Sequence, residues 1–278
     1  MSPWKVLSVI VCACCWPAFA SAASVTIGGA SDANIAADVK DATIFQDPVG
    51  NSNGAGPGMF AGTNGSNSPR RGLIEFNVAG NVPAGATINS VQMLLFLGQT
   101  AGGSGGSFNI SLYSLSAPWG EGTTGSTSTM IGGTGQGFAA NPGDATWGYS
   151  SYNTVPWTSG GAFAASASAT TSVGATLNAS STWSTAAMAT DVQGWLDNPS
   201  TNYGWAVLNG VEGTSNSFRA FWTKEASTAS LRPELIVNYT AAPEPAALTL
   251  AFAGVVVLVA CQRRMQFSRR TTRRNAGA

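Results

Sequence analysis

Short runs of alternating apolar and polar residues, cut apart by clusters of Gly, Asn, Ser and Pro, recur through the middle of this 278-residue chain. Side chains alternate between the two faces of an extended strand, so a period of two marks a strand with one buried face. Phe108, Ile110 and Leu112 alternate with Asn109, Ser111 and Tyr113 over 108–115. Over 72–78, Leu73, Glu75 and Asn77 share one face and Ile74, Phe76 and Val78 the other. Further strands are expected over 42–46, 87–97, 203–208, 217–223 and 234–240. One helix is expected over 191–197, with Thr190 as its cap, Val192, Trp195 and Leu196 on one face, and Asn198-Pro199 ending it. The stretch 98–106 reads as a hairpin loop and 120–137 as a long Gly/Thr/Ser loop. Many short strands with Gly-rich turns and one short helix imply an all-β fold, an antiparallel β-sandwich of jelly-roll type.

Charge and chemistry narrow the function. Only 9% of residues are charged, 13 basic against 13 acidic, where about 25% is usual. Helices of a cytosolic enzyme could not be clothed with so few. A net charge of zero and no interior basic patch argue against nucleic acid as a partner. There is no histidine, and the four cysteines (Cys12, Cys14, Cys15, Cys261) lie in terminal apolar segments. A Ser-His-Asp or Cys-His nucleophile, a histidine zinc site and a disulfide in the folded part are therefore excluded.

The termini read as targeting segments. Residues 1–22 form a secretory signal peptide: Lys5, an apolar run over 6–19, and Ala20-Ser21-Ala22 as the cleavage site. A lipoprotein anchor fits less well, because the residues before Cys12, Cys14 and Cys15 make a poor lipobox. Residues 23–40 are a linker or a first strand. At the other end, Pro243-Glu244-Pro245 precedes a 16-residue apolar run over 246–261 and then Arg263-Arg264. That run is close to the roughly 20 residues of a transmembrane helix, and the arginines mark its cytoplasmic side. The segment 243–264 resembles the PEP-CTERM sorting signal of Gram-negative bacteria. The resemblance implies an exosortase as a partner, at least transient residence in the inner membrane, and final placement at the cell surface or in the extracellular matrix. The basic tail 265–278 runs on further than most such signals. Between the two ends, residues 24–242 carry six basic and twelve acidic side chains, a net of −6, which disfavours polyanions as partners of a broad surface.

The middle carries an ordered series of motifs. Arg71-Gly72-Leu73-Ile74-Glu75-Phe76-Asn77-Val78 is followed by Val82-Pro83-Ala84-Gly85-Ala86-Thr87-Ile88, Trp119-Gly120-Glu121-Gly122 and Thr146-Trp147. Asp191-Val192-Gln193-Gly194-Trp195-Leu196, Tyr203-Gly204-Trp205, Phe221-Trp222-Thr223-Lys224-Glu225 and Arg232-Pro233-Glu234-Leu235 complete it. Over 41–240 this resembles the DNRLRE domain, a β-sandwich of carbohydrate-binding-module type. The insert between Gly122 and Thr146 is longer than in compact members.

Candidate site residues follow from both readings. Trp119, Glu121, Trp147, Tyr149, Tyr152 and Trp157 fall on loop-rich sequence. Aromatic faces stack on the apolar faces of sugar rings, and a carboxylate accepts hydrogen bonds from hydroxyls. Two or more of the five rings are expected to stand exposed on one face; the competing reading is a satellite cluster that pins the loops. Asp41, Asp47 and Asp144, with Asn51, Asn53 and Asn141, are hard oxygen donors, so calcium is the one cofactor left open, though the spacing does not fit an EF-hand. Arg71 and Arg232 are expected to fix a loop or to pair with Glu75, Glu225 or Glu234, and Trp195, Leu196, Trp205, Trp222 and Tyr239 to enter the core. The leading expectation is an exported, surface-sorted, non-enzymatic protein that binds extracellular or envelope polysaccharide. The alternative is a structural matrix or biofilm display protein without a specific ligand. A polysaccharide-degrading enzyme using two carboxylates comes third.

Overall fold

The computed structural model describes residues 21–102, 105–125 and 136–242, together with Val259. Ala22–Ala241 is one compact unit; 1–21 with 242–278 make a second, of which only Ser21, Ala242 and Val259 are described. The signal peptide, the sorting segment including Pro243, Glu244, Pro245, Arg263 and Arg264, and the basic tail thus lie outside the described residues, as does the middle of the 120–137 loop. Among the described residues no helix is long and apolar enough to cross a membrane.

The unit is mostly antiparallel β-sheet with few helices, as the alternation implies. Its strands are β1 (Ala22–Gly28), β2 (Val39–Phe45), β3 (Asn51–Ser52), β4 (Gly58–Thr63), β5 (Pro69–Phe76), β6 (Thr87–Thr100), β7 (Phe108–Ser114) and β8 (Phe138–Ala139). Then come β9 (Tyr149–Ser151), β10 (Val155–Pro156), β11 (Ala169–Val173), β12 (Ser180–Trp183), β13 (Trp205–Asn209), β14 (Arg219–Trp222) and β15 (Glu234–Thr240). Two single-turn helices, α1 (Ile35–Asp38) and α2 (Val78–Asn81), the longer α3 (Ala186–Asp197) and two 3-10 turns, Pro199–Thr201 and Ala229–Leu231, complete it. The segment 23–40 contains a first strand, since β1 pairs with β15 along its whole length.

One ladder runs β1-β15-β6, with β12 also on β6. Another runs β11-β7-β13-β5-β2 and carries β3 and β8 at its end. β14 joins the two: it pairs with the far end of β6 and with β4, which turns into β5. The main core holds Ile74, Phe76, Ile110, Leu112, Trp205 and Val207 from the second ladder and Val91, Met93, Leu95, Leu235 and Val237 from the first. β13 reads as an unbroken apolar run because both of its faces are covered. Trp205 and Val207 point into the main core, while Ala206 and Leu208 point into a second apolar cluster.

α3 starts earlier than the sequence suggests. Thr185, in extended backbone, accepts from the Met188 amide and caps it. Thr190 is inside the helix and donates to the Ala186 carbonyl. Met188, Val192, Trp195 and Leu196 form its buried face, and Asn198 ends it before Pro199. Trp195 meets Trp205 edge-on at 4.5 Å, and the Trp205 indole donates to Asp191 at 2.8 Å. Trp222 and Tyr239 are only half-buried.

The residue before Trp205 fixes how β13 enters the sheet. Gly204 has φ +72, and a Cβ there would lie 2.0 Å from the Ile74 carbonyl oxygen. Gly204→Ala should therefore destabilise the unit by more than about 1 kcal/mol, through a left-handed φ and a backbone clash together. Urea unfolding checks this; an unchanged midpoint would show that the turn can relax.

Candidate functional site

The described residues between β7 and β11, 115–125 and 136–168, fold back over the outer face of the β2-β5-β13-β7 sheet. Because Ala42, Ile44, Leu73, Ala206 and Leu208 face that way, the sheet presents apolar surface there, and Leu115, Trp119, Ala145 and Trp147 cover it. Trp119 and Trp147 are only 5% and 6% exposed. The Trp119 indole donates to the Tyr203 carbonyl at 2.9 Å, and the Lys40 ammonium sits 4.2 Å from its ring centre. Tyr149, Tyr152 and Trp157 are half-buried. Trp157 donates to the Thr146 carbonyl at 3.0 Å, and the two tyrosines meet edge-on at 5.8 Å. Two of the five rings depart from the expectation of exposure: Trp119 and Trp147 are buried and, with the half-buried Trp157, pin the long connection to the sheet. The physical reason is the row of small and aliphatic residues on the sheet's outer face, which gives large loop aromatics a second core to enter.

Glu121 belongs to a half-buried charge network built around the fully buried Asp41. Its carboxylate accepts from the Asp41 amide at 2.7 Å and from the Lys224 ammonium. Lys224 also donates to Glu225, and its amide donates to Asp41 Oδ2 at 2.9 Å. Three carboxylates thus gather around one ammonium, from three segments far apart in sequence. Burial, and then repulsion from Glu225, hold the Asp41 carboxyl well above the usual carboxylate range. Burial also raises Glu121, against the pull of Lys224. Burial alone would lower Lys224, but Asp41, Glu225 and Glu121 outweigh it and push it up. Both sides of an ion pair rise together because the carboxylates outnumber their counter-charge.

The three candidate metal ligands serve different structures. Asp41 is in this network. Asp144, 1% exposed, accepts from the Thr123 amide at 3.2 Å and the Asn141 amide at 2.9 Å, closing its own turn. Asp47 is exposed, and its amide donates to the Ser68 hydroxyl at 3.1 Å. Among the described residues no three carboxylates, cysteines or histidines are grouped to hold a metal ion.

Where the covering loop stops, a pocket of about 230 Å³ opens on the same face. Ser111 and Tyr113 of β7, Leu208 and Asn209 of β13, and Gly210 and Glu212 beyond it form the walls. Glu212 is fixed by a two-pronged pair with Arg71: Nε donates at 2.8 Å and Nη2 at 2.7 Å. Arg71 Nη1 donates to the Gly160 carbonyl at 2.7 Å, and the guanidinium lies 4.7 Å from the Trp147 ring centre and 5.3 Å from that of Phe163. Phe163 in turn packs on Tyr113 at 5.5 Å. Arg71 thus pairs with Glu212 rather than with Glu75, which takes Lys40 at 2.7 Å; Arg232 donates to the Ala226 carbonyl at 3.1 Å.

Sequence reasoning missed this pocket. Tyr113 carried a signal, as an aromatic on the polar side of the 108–115 alternation. Glu212 carried none, because its partner is 141 positions away. Arg71→Leu should destabilise the unit by roughly 2–4 kcal/mol, since it strands the Glu212 carboxylate and removes packing from Trp147 and Phe163. Thermal unfolding at neutral pH checks it, and a loss below about 0.5 kcal/mol would mean the pair is merely a surface one.

No family model matches the chain, and no curated protein matches it significantly.

Proposed function

We propose that this is an exported, surface-sorted, non-enzymatic protein whose jelly-roll-like sandwich, of DNRLRE type, binds extracellular or envelope polysaccharide. The observation that carries the reading is the pocket beside the loop-covered face. It sets the Tyr113 ring and Leu208 next to the Ser111 hydroxyl and the Glu212 carboxylate, on a wall that Asn209 holds in place through Ser217 and Val211. A sugar ring offers the matching pair of surfaces, an apolar C–H face and a rim of hydroxyls. Glu212 keeps acceptor capacity after pairing with Arg71, because a carboxylate has about four lone-pair sites. At about 230 Å³ the pocket is smaller than the roughly 300–1,000 Å³ of drug-sized sites, which fits one ring of a chain that continues over the surface.

Affinity electrophoresis of the full chain through gels containing soluble polysaccharides tests the reading. At least one glycan should retard it, and Tyr113→Ala should weaken that retardation about tenfold, a loss of roughly 1.4 kcal/mol. Retardation by no glycan would leave the second reading, a matrix display protein, in the lead. That reading draws on the burial of Trp119 and Trp147, which gives the most conspicuous aromatics a structural task. An enzyme stays third, since the clustered carboxylates Asp41, Glu121 and Glu225 are engaged with backbone amides and Lys224.

Export and sorting rest on the terminal motifs. Deleting residues 243–278 should release the protein to the medium, because the segment 246–261 is the apolar run left after signal cleavage. Cell fractionation reads this out; a truncated chain as firmly cell-associated as the full one would remove the sorting role from this segment.

A further inference from the structure

We infer that the pocket between β7 and β13 selects an uncharged polysaccharide and rejects acidic ones, an inference that rests on the glycan-binding reading above. The argument comes from where every basic side chain of the folded unit goes. There are six between residues 24 and 242: Lys40, Arg70, Arg71, Arg219, Lys224 and Arg232. Lys40 is paired with Glu75, Arg71 with Glu212, and Lys224 with Glu121 and Glu225. Arg70 and Arg219 are 1% and 0% exposed, buried over the rings of Phe45 and Phe108. Arg232 is half-buried, with its Nε donating to the Ala226 carbonyl. Five of the six are thus paired or buried, and among the described residues no basic side chain lines the pocket to meet a carboxylate or sulfate group on a ligand. A uronic acid polymer needs such cations, preferably a forked guanidinium.

The pocket itself points the same way. Its charged wall is Glu212, a carboxylate, and the guanidinium that neutralises it is clamped on Gly160 and covered by Trp147 and Phe163. Asp47 and Asp197 add exposed negative charge elsewhere on the unit. An approaching polyanion would meet repulsion and find no compensating donor fork, whereas hydroxyl groups of a neutral ring can donate to Glu212 and Ser111. The Tyr113 hydroxyl, which has no partner among the described residues, can complete that set.

Gly210 supplies a clean test, because it is exposed and an added Cβ would meet only Asn109, at 3.5 Å and beyond, which is ordinary contact. Gly210→Gln should fill the pocket without disturbing the backbone. The full chain and this variant are titrated with a neutral glucan, a neutral mannan and alginate, at low and high salt. High salt is needed because the six arginines at 263–274 can attract any polyanion, an attraction that salt screens. The expected result is salt-insensitive binding to a neutral polymer, weakened at least tenfold in Gly210→Gln with the melting temperature unchanged, and alginate binding that salt abolishes and the variant leaves alone. Tyr113→Phe, which keeps the ring packed on Phe163, should weaken neutral-glycan binding in the same direction. Alginate binding that survives salt, exceeds that of both neutral polymers and disappears in Gly210→Gln would overturn the selectivity while keeping the glycan site. Binding to none of the three that depends on Gly210 or Tyr113 would overturn both.

Discussion

Trp183→Ala should cost the folded unit about 3–5 kcal/mol, the largest effect expected of a single substitution. Trp183 ends β12 and is fully buried. Its ring meets Phe221 of β14 edge-on at 5.9 Å, and its indole donates to the Ile110 carbonyl of β7 at 2.8 Å. One side chain thus links the ladder of β6 to that of β7 and to the strand that joins them. Trp183→Phe keeps most of the apolar volume but leaves the Ile110 carbonyl without this donor, so a smaller loss of about 1–3 kcal/mol is expected. Denaturant unfolding followed by circular dichroism checks both. A loss under 1 kcal/mol for the alanine variant would mean that this part of the core is loosely packed.

The second large effect is at Lys224. Lys224→Met leaves Asp41, Glu121 and Glu225 facing one another without a counter-charge, and breaking a buried pair in this way costs roughly 3–5 kcal/mol at neutral pH. The pH dependence gives an independent check. Asp41 and Glu121 have raised values in the folded protein, above their ordinary 3.8 and 4.5. Protonation therefore favours the folded state: their contribution to stability is fully present below those ordinary values and is lost as the pH climbs through the raised ones. The Lys224→Met penalty should shrink on acidification, as the carboxyls take up protons, and grow toward alkaline pH. Asp41→Asn removes one charge while keeping an oxygen for the Lys224 amide, so it should raise the melting temperature at pH 8 and flatten the pH profile. A Lys224→Met penalty that does not vary between acidic and alkaline pH would show that the network is solvated rather than buried.

Much of the sheet was legible because one-sided burial writes itself into alternation. β15 occupies the expected 234–240, and β7 falls within one residue of 108–115. β4, with the sequence GMFAGT, was not legible, because it is buried on all six positions and interrupted by glycine. β12 is four residues long and mostly polar, and only its terminal Trp183 is buried. The Thr190 cap was misplaced because Ala186 to Ala189 add little to the helical stripe beyond Met188, while Thr185 marks the start only once its extended backbone is known.

The site was legible in parts. Asp41, Glu121, Lys224 and Glu225 were each in view as motif or candidate residues, but neither the distance between them along the chain nor their composition indicates that they meet. In the sequence Trp119 and Trp147 look like sugar platforms because the surrounding residues offer them no core. That core is supplied by Ala42, Leu73 and Ala206 on the back of a sheet whose other side is already buried. Periodicity cannot reveal a strand covered on both faces, so a pocket at the margin of the second cover was out of reach.

The most direct test of the central claim maps where a glycan touches the protein. Hydrogen–deuterium exchange of the full chain, with and without a neutral polysaccharide that binds it, should show new protection in the peptides of β7 and of β13 through Glu212. Little change is expected around Tyr149 and Tyr152. Protection confined to the Tyr149–Ser151 strand and its neighbours, or no protection at any saturating glycan concentration, would contradict a binding pocket on the outer face of this sheet.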